Sequence, residues 1–330
     1  MKQKVLITGA SGFVGYHLIE AALQRNLEVY AAVRKTSKID HLKDLDINIV
    51  LLDIMNTDEL VAQLELLQCD YIIHAAGITR AKTAREYFSV NADYTQTLAE
   101  AAMTADIPLK KFIFISSLAA LGPTTYNALH AITERAEPMP LTNYGKSKLL
   151  AEEYLSEVKD LPLMVFRPTA VYGPREKDIF IMFKSLRQRI EPYIGRSPQR
   201  LSFIYAKDLA AITITGMLMR DKYNTYNVSD GKSYSRYALA DITKKILAIR
   251  TLKVHVPVKI VHGIVNILEM FYSNSIHAPT LNKEKLAELQ APNWECSIEL
   301  LKKDLGIAPK YDLEAGIKET LTWYRSHNWL

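Results

Sequence analysis

Cysteine is scarce in this chain. Cys69 and Cys296 are the only two among 330 residues, and no CxxC pair occurs. That excludes a cysteine-built zinc site and argues against a disulfide scaffold, so no metal centre is expected. A long run of one charge is missing as well. The net charge is +5 without a basic cluster, which fits a phosphorylated small ligand better than nucleic acid. No basic segment followed by an apolar core opens the sequence, so a cytoplasmic location is expected. The most apolar stretch, Val258 to Tyr272, is interrupted by Lys259, His262, Asn266 and Glu269 and reads as no membrane span. Its apolar positions Val261, Ile264, Val265, Leu268 and Phe271 have helical spacing, and a pocket lid or wall is expected there rather than a membrane-surface helix. No repeat, low-complexity segment or disordered linker stands out.

What is present begins with a short apolar run, Lys4 to Thr8, bounded by glycine, the pattern of a buried parallel strand. Gly9-Ala10-Ser11-Gly12-Phe13-Val14-Gly15 follows, and then a helical pattern through Leu18, Ile19, Ala22 and Leu23. Strand, glycine turn and helix together form a dinucleotide-binding arrangement. Gly9 permits the turn, Gly12 lets backbone approach a pyrophosphate, and Gly15 lets the helix lie close on the sheet. The pyrophosphate then meets the positive end of the helix. A second strand, Glu28 to Val33, ends where an acidic residue usually meets the ribose hydroxyl, roughly 20 residues beyond the glycines. Here Arg34 and Lys35 stand there, with Lys38 nearby. Cations suit a 2′-phosphate, so NADP is preferred over NAD.

Further strands are expected at Asn48 to Ile54, Tyr71 to Gly77, Lys111 to Ser117 and Leu163 to Pro168, with helices at Asp58 to Leu67 and Asn91 to Thr104. Ala75, Ala76 and Gly77 are small enough for backbone to lie against a cofactor. His74, with no acid partner close in sequence, reads as a packed strand-end residue. The fifth strand delivers Ser116 and Ser117 to the carboxyl edge of the sheet, the edge where open α/β sheets bind ligands.

Tyr144-Gly145-Lys146-Ser147-Lys148 reads as a helix start, with Tyr144 and Lys148 one turn apart on one face. A free phenol has a pKa of about 10, and bringing it to about 7 takes roughly 4 kcal/mol of differential stabilisation. The Lys148 ammonium and an oxidised nicotinamide are expected to supply it. Ser117 then holds the reacting oxygen beside the phenol.

These pieces resemble the extended short-chain dehydrogenases/reductases, also called the NAD-dependent epimerase/dehydratase family. The resemblance rests on Thr8 to Gly15, Asp53-Ile54, His74 to Gly77, Ser116-Ser117, Tyr144-x-x-x-Lys148, Arg167 to Pro174, Phe203 to Ala210 and Tyr226 to Val228, in the family's order. It implies an α/β fold: a Rossmann-type doubly wound parallel sheet with a smaller C-terminal α+β lobe. Residues 1–175 would hold cofactor and catalytic residues, and 176–330 mainly the substrate, with residues near 200–230 returning to the main sheet. It implies Ser117, Tyr144 and Lys148 as the catalytic trio, Asp53 and Ile54 flanking the adenine, and Asn91 as structural support. Pro168 and Val171 would lie along the nicotinamide.

Three chemistries share this scaffold. A dehydratase needs an acid and a base beside the serine, and Leu118, Ala119 and Ala120 supply neither. Many 4-epimerases carry an asparagine where Thr169 stands, and an arginine two residues before the aromatic that here is Phe203, whereas Arg200 stands three before it. The sequence resembles more the dihydroflavonol reductase and 3β-hydroxysteroid dehydrogenase branch, so reduction of a carbonyl is favoured over epimerisation. A non-catalytic cofactor sensor is the reading from another class, and an intact trio argues against it. Phe180, Met182, Phe183, Ile194 and Tyr205 are candidate pocket walls. Extra apolar positions on the helices from Asn91 and Tyr144 point to a homodimer built on both.

Overall fold

The computed structural model of the chain describes residues 2–220, 222, 224–272, 279 and 281–330. Its strands are β1 (Lys4–Thr8), β2 (Glu28–Val33), β3 (Asn48–Leu51), β4 (Tyr71–His74), β5 (Lys111–Ile115), β6 (Leu163–Pro168), β7 (Ala170–Tyr172), β8 (Ile190–Ile194), β9 (Arg200–Leu201), β10 (Phe203–Tyr205), β11 (Thr225–Val228), β12 (Tyr234–Ser235) and β13 (Leu252–Val256). Its helices are α1 (Phe13–Gln24), α2 (Thr57–Leu67), α3 (Ala84–Phe88), α4 (Tyr94–Thr104), α5 (Asn143–Glu157), α6 (Phe180–Arg187), α7 (Ala206–Leu218), α8 (Ala238–Leu247), α9 (Val258–Phe271), α10 (Lys283–Gln290), α11 (Glu299–Leu305) and α12 (Leu313–Ser326).

One parallel sheet runs β11-β6-β5-β4-β1-β2-β3. Val5 and Ile7 of β1 point into a layer with Leu18 of α1, Leu209 of α7 and Leu301 of α11. Leu6, between them, points into the opposite layer with Leu64 of α2, Leu98 of α4 and Leu155 of α5. Both faces are covered, which is why these strands are unbroken apolar runs rather than alternating ones. The strand order reverses between β1 and β4, and the loops after these two strands frame a crevice at the carboxyl edge. The outermost strand comes from far along the chain: Thr225 to Val228 pairs with Val165 to Pro168.

Beyond the sheet, β10 pairs with β7, β12 with β9 and β13 with β8 as small two-stranded units. Tyr172, Phe183, Tyr205, Ile317 and Tyr324 make the core of this smaller lobe. The expected pocket walls are mostly in that core. Phe183 and Tyr205 are fully buried, and the Phe180 ring packs 4.9 Å from Tyr324 and 5.2 Å from Trp329. Tyr324 of α12 and Trp329 beyond it claim Phe180, Tyr324 also claims Phe183, and Tyr172 and Tyr311 claim Tyr205; apart from Tyr172, these partners lie far off in sequence.

Two further boundaries differ from expectation. The third strand stops at Leu51, because the Asp53 carboxylate accepts the Met55 amide at 3.0 Å and turns the chain. The helix expected from Asn91 starts earlier, at Ala84, capped by Thr83, whose hydroxyl accepts Glu86 N–H at 3.2 Å. A π-helical segment, Ser89–Asp93, then joins α3 to α4. On the helices expected to carry a dimer, Leu98, Ala99 and Ala102 are buried within the subunit, while Tyr94, Met103, Leu149, Leu150 and Tyr154 retain exposure.

Candidate active site

The glycine loop is wedged between its own helix and the loop after β4. Gly9 has φ of +69°, and a Cβ there would lie 2.6 Å from the Ala75 carbonyl. The turn closes with Gly12 N–H donating to Gly9 C=O at 2.9 Å. A Cβ on Gly15 would strike that same Gly9 oxygen at 2.2 Å, so this glycine serves the loop-to-helix contact rather than the helix-to-sheet one. No side chain caps α1 and no acid occupies its first turn. Its first amides, around Phe13 and Val14, are therefore left uncapped next to Ser11 and suit a pyrophosphate.

Arg34 and Lys35 are exposed immediately after β2. A further cation, absent from the sequence reading, belongs to this end of α1. The Arg175 guanidinium lies 4.1 Å from the Tyr16 ring, and its Nε is buried with no hydrogen-bond partner among the described residues. His41 sits on the same side, its pKa held below the ordinary value by burial and by Arg175. Asp53 is exposed on the loop after β3, and Ile54 beside it is half-buried against the α2–α4 layer.

Behind the crevice runs a buried polar relay. Thr8 Oγ1 meets His74 Nδ1 at 2.8 Å and accepts Ala76 N–H at 3.3 Å. His74 Nε2 meets Thr95 Oγ1 at 2.9 Å, and Thr95 donates to Asn91 C=O at 2.8 Å. The Asn91 side chain accepts Ile78 N–H at 2.8 Å and donates to Ser147 Oγ at 3.0 Å. His74 is thus structural: it fixes the Ala75-Ala76-Gly77 loop. Full burial, then the nearby Lys148 charge, pushes its pKa down to about 3.

Ser117, Tyr144 and Lys148 come together at the same edge. Ser117 ends the β5 loop and opens a short 3-10 turn over Leu118–Ala120, accepting Ala119 N–H at 3.1 Å. Its side chain lies near enough to the Tyr144 phenol to favour the ionised form. The helix carrying Tyr144 starts on Thr142, which accepts Gly145 N–H at 3.1 Å. Gly145 permits the approach: a Cβ there would stand 2.4 Å from Ala119 C=O, so any side chain would lever α5 off the Ser117 turn.

Burial raises the Tyr144 phenol to about 12, the Ser117 side chain opposes the rise, and Glu288 and Tyr87 add to it. Lys148 donates to Ile115 C=O at 2.9 Å and rests 4.6 Å from the centre of the Phe114 ring. Burial brings its ammonium down to about 8, with Glu152 opposing. The lysine is anchored to the β5 end, and the phenol stays protonated around neutral pH.

Glu152 lies one further turn along the face of Tyr144 and Lys148. It accepts two hydrogen bonds from Arg167 Nε at 3.0 Å each, a third from the other end of the guanidinium, and one from Ser116 Oγ. Ser116 thus braces the strand end. Spacing by fours from Tyr144 was the available signal for Glu152. No sequence signal pointed to α10. Its Glu284 accepts Asn143 N–H at 2.6 Å and Asn143 Nδ2 at 3.0 Å, which seats α10 directly over the start of the tyrosine helix. Pro168 ends β6 and Val171 packs half-buried beside the α1 layer. Thr169 keeps a buried hydroxyl without a hydrogen-bond partner among the described residues. Arg200 is paired to Glu295 at 3.3 Å and stacked 5.4 Å from Tyr126.

The family model described as "NAD dependent epimerase/dehydratase family" matches residues 5–229. The chain belongs to this family. It is an NAD-dependent epimerase/dehydratase-family enzyme, an oxidoreductase of the extended short-chain type that interconverts a carbonyl and a secondary alcohol by hydride transfer. Among curated proteins it is similar to a ceramide reductase of Caulobacter vibrioides, 26% identical over 99% of this chain and 96% of the relative. Among solved structures it is similar to a UDP-glucose 4-epimerase of Thermotoga maritima crystallised with UDP-glucose. That match has TM-score 0.80 at 20% identity, covering 99% of this chain and 100% of the other. A UDP-glucuronic acid 4-epimerase of Bacillus cereus in complex with NAD gives TM-score 0.77 at 22% identity, covering 98% and 99%. No helix among the described residues of this family member is long and apolar enough to cross a membrane.

The His74 relay makes stability depend on pH. The folded-state value lies below the ordinary 6.5, so the contribution is complete above pH 6.5 and lost as pH falls toward 3. His74→Gln should be less stable at pH 7 by about 1–3 kcal/mol, through the impaired buried hydrogen bonds. The gap should narrow steadily as pH is lowered. Urea unfolding at several pH values checks this, and a gap constant from neutral to acid pH counts against it.

Proposed function

We propose that this enzyme is a carbonyl reductase for an apolar, lipid-like ketone, with Ser117, Tyr144 and Lys148 as its catalytic residues. One observation carries the reading: Ser117, Tyr144 and Lys148 brought together at the carboxyl edge that also presents the glycine loop, with burial favouring the protonated phenol. The reduced nicotinamide, when bound, supplies the hydride to the carbonyl carbon. Ser117 holds the carbonyl oxygen, and the Tyr144 O–H gives its proton to that oxygen as negative charge develops there. Lys148, protonated at neutral pH and tied to Ile115 C=O, keeps a positive charge one turn from the phenol as it becomes phenolate. A protonated phenol is the form that reduction consumes.

Three features favour reduction over epimerisation. Thr169 stands where an epimerase asparagine would be, and Arg200 is committed to Glu295 and Tyr126 rather than free for a diphosphate. A relative matching nearly the whole chain is called a ceramide reductase. The second reading is a nucleotide-sugar 4-epimerase, favoured by the UDP-sugar epimerases among the solved structures of this fold. Stoichiometry separates the two: a reductase consumes one cofactor per product, an epimerase regenerates it.

The cations Arg34 and Lys35, together with Arg175, support NADP as the preferred cofactor, held at Gly9, Ser11, Gly12, Phe13, Val14, Gly15, Asp53, Ile54, Ala75, Ala76, Gly77, Ser116, Tyr144, Lys148, Pro168 and Val171. In this reading residues 1–175 hold the cofactor, residues 176–330 mainly enclose the substrate, and the enzyme works in the cytoplasm. Tyr94, Met103, Leu149, Leu150 and Tyr154 support a homodimer through α4 and α5, since a two-fold contact buries one patch twice.

Tyr144→Phe should lower reductive turnover by about two to four orders of magnitude while leaving NADPH affinity within about twofold. Stopped-flow oxidation of NADPH reads the first and fluorescence titration the second; unchanged turnover sinks the assignment. Arg34→Asp should weaken NADPH far more than NADH, and equal dissociation constants for both cofactors in the unmutated protein would end the NADP preference. Light scattering at tens of micromolar should give a dimer mass, and a monomer refutes the paired-helix interface.

A further inference from the structure

α9 divides its apolar residues between two stripes. Val261 and Val265 face inward and pack with Ile194, Val256, Leu281 and Leu286. Ile260, Ile264, Ile267 and Phe271, at helical spacing, with Met270 alongside, are between 46% and 75% exposed. Lys259, His262, Asn266 and Glu269 occupy the remaining arc. An exposed stripe of five large apolar side chains on one helix is not ordinary surface. The expectation of a pocket wall accounts only for the inward stripe.

The surroundings are cationic. Lys259 lies in the first turn of α9, and Arg196 follows Gly195, whose Cβ position is 3.0 Å from the Val258 side chain. Arg187, Arg189 and Arg250 are exposed at the other end of the β8–β13 pair, where its strands begin. Over residues 184–196 and 249–262 the one acid is Glu191, buried and paired with Lys244 at 2.8 Å and with Lys253 at 3.6 Å, so it opposes neither Lys259 nor Arg196. On α9 itself Glu269 is taken up by α10, accepting Lys283 N–H at 3.0 Å and pairing with the Lys283 ammonium at 3.0 Å. An amphipathic helix with a bare apolar stripe, flanked at its start by the exposed Lys259 and Arg196, fits a negatively charged lipid surface. The link to the site is short. α9 is clamped to α10 through Glu269 and Lys283, and Glu284 of α10 holds the amide that starts the Tyr144 helix.

We propose that α9 docks the enzyme on an anionic bilayer, its apolar stripe lying in the interfacial layer and the flanking cations on the headgroups. Docking sets α10 and the mouth above Tyr144 against the membrane, so that a ketone carried on a lipid passes from the bilayer to the site without crossing water. In linking docking to turnover the proposal rests on the carbonyl-reductase reading; docking itself does not.

The test is vesicle flotation of the full chain without substrate or cofactor. Mixed phosphatidylcholine–phosphatidylglycerol vesicles should carry the protein, and phosphatidylcholine alone or raised salt should carry much less. Ile264→Asn with Phe271→Asn should cut the partition coefficient on the order of a hundredfold, about tenfold per apolar side chain. Lys259→Glu, an exposed change that leaves the apolar stripe intact, should weaken flotation severalfold on its own. NADPH binding should be unchanged in both, which establishes that they are folded. The proposal is overturned if the unmutated chain stays in solution with the mixed vesicles, if it floats equally with neutral ones, or if folded variants float as well as the parent. Loss of a dimer in the stripe variant with no vesicle binding by the parent overturns it too, assigning the stripe to a second copy. Intact flotation with no NADPH consumed for any ketone would sink the reductase reading alone.

Discussion

The buried pair of Arg167 and Glu152 is the contact on which the geometry of the site depends. The arginine comes from the carboxyl end of β6, the glutamate from the third turn of α5, and Ser116 just after β5 joins them. Two adjacent strands and the helix of Tyr144 and Lys148 are thereby fixed at one point. Removing one partner of such a pair leaves an uncompensated buried charge, at a cost of about 3–5 kcal/mol. The same carboxylate also opposes the depression of the Lys148 pKa. One side chain therefore sets both where the lysine sits and how readily it keeps its proton.

A second buried network works from the other side of the crevice. His74 is neutral because it is buried, and being neutral it accepts at one nitrogen and donates at the other, which lets it bridge Thr8 and Thr95. The Ala75-Ala76-Gly77 loop that lies against Gly9 is therefore held by side chains from β1, β4 and α4. Further along the same connection Arg80 pairs with Asp178, which ties it to the smaller lobe.

Local patterns made the cofactor side legible in the sequence. Gly9 to Gly15 lie within one turn and one helix start, and Tyr144 to Lys148 within one helical turn, so their arrangement follows from short-range geometry. Glu152 extended the same face and could have been found. Glu284 could not: it reaches Asn143 from 141 residues away, through a helix whose own sequence says nothing of its neighbour. The same holds for Phe180, covered by Tyr324 and Trp329, and for Tyr205, covered by Tyr172 and Tyr311, both of which read as pocket walls in the sequence. The burial that raises the phenol was hidden for a related reason. The lysine one turn away was visible, whereas the crowding around Tyr144 by Tyr87 and by α10 is assembled from three distant segments. Arg175, too, reaches α1 only through the fold.

The π-helical segment between α3 and α4 has one residue more per turn than its neighbours require. Removing a single residue from Ser89–Asp93 would let the segment rewind as ordinary helix with α3 and α4 in nearly their present relative orientation, because the wider π-turn absorbs the extra residue. What would change is the widened turn itself: Asn91, placed in it, would lose either Ile78 or Ser147. Chain length here is thus a property of the active site: relatives shortened by one in this stretch would lose the brace that ties the loop after β4 to the helix of Tyr144 and Lys148.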